Sequence, residues 1–392
     1  MITKMLKILK NFKKFLYLSF LEIRSLYQIN CLPKDRIFFF SESGFYKDFF
    51  EELVLSVDKE NKKCIYLTSD FDEYLYFREK INTFYIGKSI VRQIIFSTIN
   101  CTILVLTLTD LGNNFQISKN CLKYIYFFHS LASTHKIYKK DAFKNYDIIF
   151  CNNEYQKKEL ELAEQKFSFP QKKIITTGYM YLDFLNNNFG NIDNKKTVLF
   201  APSWNYNKKN LLDEYGIHIL DFLTKNKYQV IFRPHNEHYK RSKKIIIEII
   251  KRYRNLSNFY FDKEMSNVNS LKKTEILITD NSTIGMEFSL TFYKPTIYLN
   301  YSEKIHNPDF QVLNIEPLEE IFKRQIGYSL NVNNLNEINN IYFNFLSNKI
   351  NLKTKCEQFK KTYLTNKGNS TIIASKNLIS IYNNIINKSD RN

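Results

Sequence analysis

The chain has 392 residues, more than one hydrophobic core comfortably serves, so two domains are the expectation. Lys+Arg 57 against Asp+Glu 39 gives a formal charge of +18, which favours anionic partners, whether nucleic acid, anionic lipid or a phosphate-rich substrate. The six cysteines, Cys31, Cys64, Cys101, Cys121, Cys151 and Cys356, form no CxxC pair or metal-ligand spacing. They read as thiols buried in apolar runs of a protein in a reducing compartment.

Residues 1–30 set Lys4, Lys7, Lys10, Lys13 and Lys14 among Met5, Leu6, Ile8, Leu9, Phe12, Phe15 and Leu16. The three-and-four spacing predicts a helix with one greasy and one basic face. The run is too interrupted to span a bilayer and lacks a signal-peptide cleavage site, so the expectation is a helix lying on an anionic membrane surface. An ordinary helix packed on the first domain is the alternative.

Beyond it, short apolar runs alternate with helical patterns. Strands are predicted at 36–41, 63–68, 102–106, 124–128, 146–151 and 173–178, with a Gly44 turn and a helix over 47–57 after the first. Such runs imply a parallel sheet covered on both faces. The polar stretch 186–194 reads as an interdomain linker. The pattern restarts with strands at 197–201, 228–233, 258–261, 275–279 and 296–299. The fold class is therefore α/β and GT-B-like, with two doubly wound Rossmann-type domains facing a cleft: an acceptor domain over 35–188 and a nucleotide-donor domain over 195–370. A closing helix follows at 371–388. No GxGxxG follows the first strand and no P-loop occurs, which argues against a dinucleotide dehydrogenase or an ATPase.

Chemistry in open α/β sheets lies beyond the carboxyl ends of the strands, and four corners stand out there. Tyr126-Phe-Phe-His129-Ser130 runs a strand into a histidine that can take a proton near neutral pH, or can merely cap the next helix. His135, further on, reads as solvated. Ile231-Phe-Arg233-Pro234-His235 ends a strand in a cationic pair suited to pyrophosphate. His238 nearby lacks the companions of a metal site, and no metal is expected. Thr279-Asp280-Asn281-Ser282-Thr283 opens a helix whose N-terminus and hydroxyls form an anion site, with Glu287 one turn in. A plain Asp or Asn N-cap is the alternative there. Phe200-Ala-Pro-Ser203-Trp204 holds the single tryptophan at a corner that opens onto the cleft.

In order and spacing these corners resemble the CDP-glycerol glycerophosphotransferases that build teichoic acids and related capsule polymers. The resemblance begins at Phe39-Phe-Ser41-Glu-Ser-Gly44 and Phe128-His129. It runs on through Thr177-Gly178-Tyr-Met-Tyr-Leu-Asp183, Phe200-Ala-Pro-Ser-Trp204, Arg233-Pro-His235, Thr279-Asp-Asn-Ser-Thr283 and Asn366-Lys-Gly368-Asn-Ser370. It covers about residues 36–385. Ser130, Asn236, Asn281 and Met180 depart from the family pattern, which leaves CDP-glycerol, CDP-ribitol or another activated polyol open.

The resemblance implies His129 as the base for an acceptor hydroxyl, with His235 and Arg233 on the donor pyrophosphate. Ser282 and Thr283 would bind phosphate and Glu287 the ribose. Asp280, Asn281, Ser203 and Trp204 would complete the donor side, and Ser41, Gly44, Ser130 and Gly178 the acceptor side. It implies no cofactor, a CDP-polyol donor, a lipid-linked glycan or polyol-phosphate acceptor, and no nucleic-acid partner. The place of action would be the cytoplasmic face of the cell membrane. The alternatives are a GT-B sugar-nucleotide glycosyltransferase or UDP-sugar 2-epimerase, for which Asp110 is a possible catalytic carboxylate, and a non-catalytic membrane or nucleic-acid binding protein.

Overall fold

The computed structural model describes residues 2–61, 63–188, 196–206 and 209–389. Most of the stretch read as a linker, from 189 to 194, lies outside these, while 186–188 finish a helix, Met180–Asn188.

Seven parallel strands make the first sheet: β1 (Ile37–Ser41), β2 (Cys64–Thr68), β3 (Thr83–Tyr85), β4 (Cys101–Leu106), β5 (Cys121–Phe127), β6 (Ile148–Cys151) and β7 (Lys173–Thr176), in the order β3-β2-β1-β4-β5-β6-β7. Six more make the second: β8 (Thr197–Phe200), β9 (Gln229–Phe232), β10 (Phe259–Phe261), β11 (Ile276–Thr279), β12 (Thr296–Asn300) and β13 (Tyr328–Asn331), in the order β10-β9-β8-β11-β12-β13. Each sheet reverses its winding beside its own first strand, between β1 and β4 and between β8 and β11. Those are the places where an open α/β sheet leaves a crevice for a ligand.

The central strands read as continuous apolar runs because both faces are covered. Along β1 the two faces alternate. Phe38 and Phe40 pack with Leu104, Leu106 and Tyr126, while Ile37 and Phe39 pack with Tyr66, Val105 and Ile125 on the other side. The second face is closed by two helices, Lys47–Asn61 and the C-terminal Ser370–Ser389, which contributes Ala374, Leu378, Ile381 and Tyr382. The chain thus returns from the second sheet to finish the core of the first.

That return is pinned at several points, among them Asn366, whose side-chain amide donates to the Thr176 carbonyl oxygen at 3.2 Å, and Asp183. The Asp183 carboxylate accepts the backbone N–H groups of Gly368 at 2.8 Å and Ser370 at 3.0 Å. Beside it Gly178 sits at φ +97°, and a Cβ there would stand 2.3 Å from Ser370 Oγ and 2.8 Å from the Thr365 carbonyl oxygen. Gly178 is therefore required by this crossing and is not part of the acceptor surface where the sequence placed it. Gly178→Ala is expected to cost about 1–3 kcal/mol, from left-handed strain and the clash together, read as a lowered urea midpoint.

The N-terminal helix spans Ile2–Asn30. Its second half buries Leu21, Ser25 and Ile29 and packs on the helix Ile90–Thr98, with the Glu22 carboxylate accepting the Ser89 hydroxyl. Residues 9–17 are exposed all round. Among the described residues no helix is long and apolar enough to cross a membrane, and no cysteine is in a disulfide; all but Cys31 are buried.

Candidate functional site

The carboxyl edges of the two sheets face each other, and the loops that leave them meet across a seam. Ser130, just past β5, has its hydroxyl 3.1 Å from that of Thr283, the residue that starts the helix Ile284–Phe292 after β11. Ser266, past β10, donates to Asp48 at 2.5 Å. Gly44 comes so close to Met265 that a Cβ would stand 1.9 Å from its sulfur, so any side chain there would have to displace the Met265 tip from this face of the seam. Phe49 stacks on Tyr181 at 4.3 Å and joins the core of the second sheet.

His129 stands at the centre, half-buried at the end of β5. Its ring lies edge-on to Tyr46 at 5.0 Å and to Phe49 at 6.3 Å, and its Nδ1 is buried without a hydrogen-bond partner. Burial among these rings pushes its pKa down to about 4, so the imidazole is neutral at pH 7, as a base must be.

His235, past β9, is held differently. Its Nδ1 accepts the Glu237 backbone N–H at 3.2 Å and caps the short helix Asn236–Arg241. With Nδ1 an acceptor, the proton of the neutral ring belongs on Nε2, which makes this histidine a hydrogen-bond donor toward solvent. The surrounding protein and the Lys304 ammonium hold its pKa below the usual histidine range. His238 is fully buried, with its Nε2 3.1 Å from the Ser203 carbonyl oxygen and its ring edge-on to Trp204 at 4.9 Å. It braces the Ala-Pro-Ser-Trp corner. Among the described residues no group of three metal-ligating side chains comes together.

The helix Ile284–Phe292 begins without the Asp or Asn cap that was the alternative reading. Asp280 accepts the Ser203 backbone N–H at 2.7 Å. Asn281 bridges the Ser302 carbonyl oxygen at 2.7 Å and the Lys323 ammonium at 3.1 Å. The N-cap residue is Thr283, with no side-chain cap bond, and Ser282 Oγ reaches the Ile284 N–H only at 3.4 Å. The first amides of this helix and the hydroxyls of Ser130, Ser282 and Thr283 thus gather at the seam, an arrangement fit for an anion.

Several residues whose type and position in the chain suggest a ligand lie elsewhere, each for a physical reason. Ser41 is fully buried and donates to Glu73 at 3.1 Å, within a cluster where Tyr66 also donates at 2.9 Å; it belongs to the first core. Arg233 is spent on Asp262 at 2.7 Å and on the Met265 carbonyl oxygen at 2.9 Å, so it orders the loop that meets Gly44. Glu287 is buried and accepts the Tyr179 hydroxyl at 2.6 Å, with burial raising its pKa to about 7. It ties the domains together and does not open onto the cleft. Trp204 is buried too, with its Nε1 unpartnered. His135 is not solvated: it is buried, 3.1 Å from Glu159 and 3.1 Å from the Ile315 carbonyl oxygen.

The segment Tyr301–Asp309 carries side chains that no motif in the sequence marks. Lys304 and His306 sit on it, and His306 has a buried, unpartnered Nε2. Across from His306 lies the exposed ring of Tyr206, at 5.5 Å. The signal was a His and a Lys two residues apart, a few residues past a strand end. It was hidden because the chain there makes no tight turn and no recognisable pattern.

Residues 128–309 match the model of the family CDP-Glycerol:Poly(glycerophosphate) glycerophosphotransferase, a span that holds the site loops from His129 to His306. No curated protein matches the chain significantly. Among solved structures, the wall teichoic acid polymerase TagF is similar at 14% identity and TM-score 0.58, with 99% of each chain covered. A TagF variant soaked with CDPG is similar at TM-score 0.59 and 14% identity, covering 98% of this chain and 99% of that one. The UDP-GlcNAc 2-epimerase of Neisseria meningitidis with bound UDP-GlcNAc follows at 13% identity and TM-score 0.57, covering 88% of this chain and 100% of that one. At such identities the likeness shows a shared GT-B-like fold.

Proposed function

From the match of residues 128–309 to the CDP-glycerol glycerophosphotransferase family model, we propose transfer of a polyol phosphate from a CDP-activated donor to the hydroxyl of a teichoic-acid-like surface polymer. The observation that carries the reading is the contact of Ser130 with Thr283. It sets the neutral His129 of one sheet beside the uncapped helix N-terminus of the other. In this reaction the acceptor oxygen attacks the β-phosphorus while His129 takes the hydroxyl proton. The bond from that phosphorus to the bridging oxygen breaks, and CMP leaves with the electron pair. His235 Nε2–H and the helix amides hold the phosphate oxygens. Little covalent work falls to the protein, so positioning and fixed positive charge do most of it.

The same reading puts the enzyme on the cytoplasmic side of an anionic membrane, beside a lipid-linked acceptor. Leu9, Phe12, Leu16, Phe20, Ile23 and Tyr27 recur at helical spacing on the N-terminal helix and are all between 48% and 73% exposed. They lie opposite the buried Leu21, Ser25 and Ile29, with Lys10, Lys13 and Arg24 exposed on one flank. A stripe of this kind suits the headgroup boundary, where each basic residue adds about 1 kcal/mol. Leu16→Asp with Phe20→Asp is expected to abolish co-sedimentation with phosphatidylglycerol vesicles and to leave the thermal midpoint unchanged. Undiminished co-sedimentation would remove the membrane role.

The functional test is CMP release by purified protein offered CDP-glycerol, CDP-ribitol and UDP-GlcNAc with a membrane acceptor. Release from a CDP-polyol is the expected result and also names the polyol. Turnover of the UDP-sugar alone would overturn the reading in favour of sugar-nucleotide chemistry.

A further inference from the structure

Lys304 is, among the described residues, a cation without a partner at the crevice of the second sheet. Among the described residues its ammonium makes no hydrogen bond and no ion pair, although burial lowers its pKa and so disfavours its charge. Lys304 is half-buried, so its ammonium keeps access to solvent at the crevice while no carboxylate of those residues lies within ion-pair distance of it. Here the backbone around it is fixed. Ser302 is tied to Asn281 at 2.7 Å, and Glu303 to Asn205 through an Asn205 Nδ2 donor at 3.1 Å. On the far side the N–H groups of His306 and Asn307 donate to the Lys136 carbonyl oxygen at 3.1 and 3.2 Å, and Asn307 Nδ2 donates to His135 O at 2.8 Å. The segment is therefore strapped to the loops after β8 and β11 and to the first domain, and Lys304 stands between those straps.

On the basis of the transferase reading, we infer that Lys304 is the cation that binds the donor's pyrophosphate and takes up the charge of the departing CMP phosphate. Three observations converge on it. It follows β12, beside the β8–β11 reversal where a nucleotide's phosphates belong in a sheet of this winding. Its charge is felt by His235 and Asp280, which come from two other stretches of the site, and by His306 on its own segment. Arg233, the guanidinium the sequence offered for this task, is already engaged by Asp262. As the bond between the β-phosphorus and the bridging oxygen breaks, the electron pair and a full negative charge arrive on the CMP oxygen. An ammonium fixed there stabilises that charge without reorganisation. Because the loop is strapped to His135 and Lys136, the cation is in place only when the two domains are together.

The test is calorimetric titration of CMP, CDP and cytidine into the wild type, Lys304→Met and Lys304→Arg, with thermal midpoints alongside. CMP and CDP are expected to bind Lys304→Met at least about tenfold more weakly, with cytidine unchanged and the midpoint equal or higher, since no native contact is lost. Lys304→Arg is expected to recover part of the binding. Equal CMP and CDP affinity in wild type and Lys304→Met would overturn the inference while leaving the transferase reading intact. So would an equal loss for cytidine, which would mark a merely structural role. A wild type that binds neither CMP nor CDP would sink the transferase reading itself, and the inference with it.

Discussion

His129→Ala is expected to lower kcat by about 10²–10⁴-fold and to leave the affinity for CMP within about a factor of two, because a general base acts on the acceptor side of the reaction. The ring is held by the edges of Tyr46 and Phe49 and not by hydrogen bonds, so its removal costs packing but strands no polar group. The pH profile is the sharper measure. A base must be unprotonated, so kcat/KM falls as pH drops through the histidine's pKa. Burial has moved that value from 6.5 to about 4, and the acid limb is expected nearer 4 than 6.5. The same shift bears on stability. The unfolded chain takes up the proton below 6.5 while the folded one refuses it down to about 4, so folding weakens as pH falls across that window. An acid limb at the ordinary histidine position that persists in His129→Ala would assign the base elsewhere.

Arg233→Ala carries the second large effect, and it falls on stability. The guanidinium and its partner Asp262 are 13% and 2% exposed, and Asp262 also receives the Ser270 hydroxyl. Removing one member of such a pair strands a buried carboxylate, at a cost of about 3–5 kcal/mol. A guanidinium-chloride titration is expected to read that loss directly, with Arg233→Lys recovering only part of it because the fork to Met265 O is gone. If Arg233→Ala kept full stability and lost only affinity for the donor, this residue would be a pyrophosphate ligand after all. The structure predicts the reverse order, with donor affinity falling because the Met265 loop no longer meets Gly44.

The central strands were legible because burial on both faces leaves an unbroken apolar run, as in Ile37-Phe-Phe-Phe and Ile276-Leu-Ile. The strands that the sequence did not disclose are β3 and β13, one at an edge of each sheet. Thr83-Phe-Tyr is three residues long, and Tyr328-Ser-Leu-Asn buries only Leu330 fully, so neither offers a run to find. At the site, the strand-end positions of His129, His235 and Thr283 could be read from the chain. What the sequence lacked was the partner of each side chain. Arg233 and Glu287 have the composition of ligands, and only three-dimensional contacts reveal that Asp262 and Tyr179 already hold them. Lys304 was hidden for the opposite reason, since its distinction is a contact it does not make among the described residues.

The return of the helix Ser370–Ser389 to the first sheet sets an order for assembly on the ribosome. The first sheet is complete in the chain once β7 has been made, yet the face carrying Ile37, Phe39 and Val105 still lacks Leu378 and Ile381. Those residues are translated only after every strand of the second sheet. Domains generally fold as units during synthesis, the N-terminal one first. Here that rule is inverted: the second domain can close while the first waits with part of an apolar face bare. A chain that stops short of Ser370 would keep its second domain and leave the first with a bare apolar face, so the emergence of the last helix is the step at which the nascent protein most needs shelter.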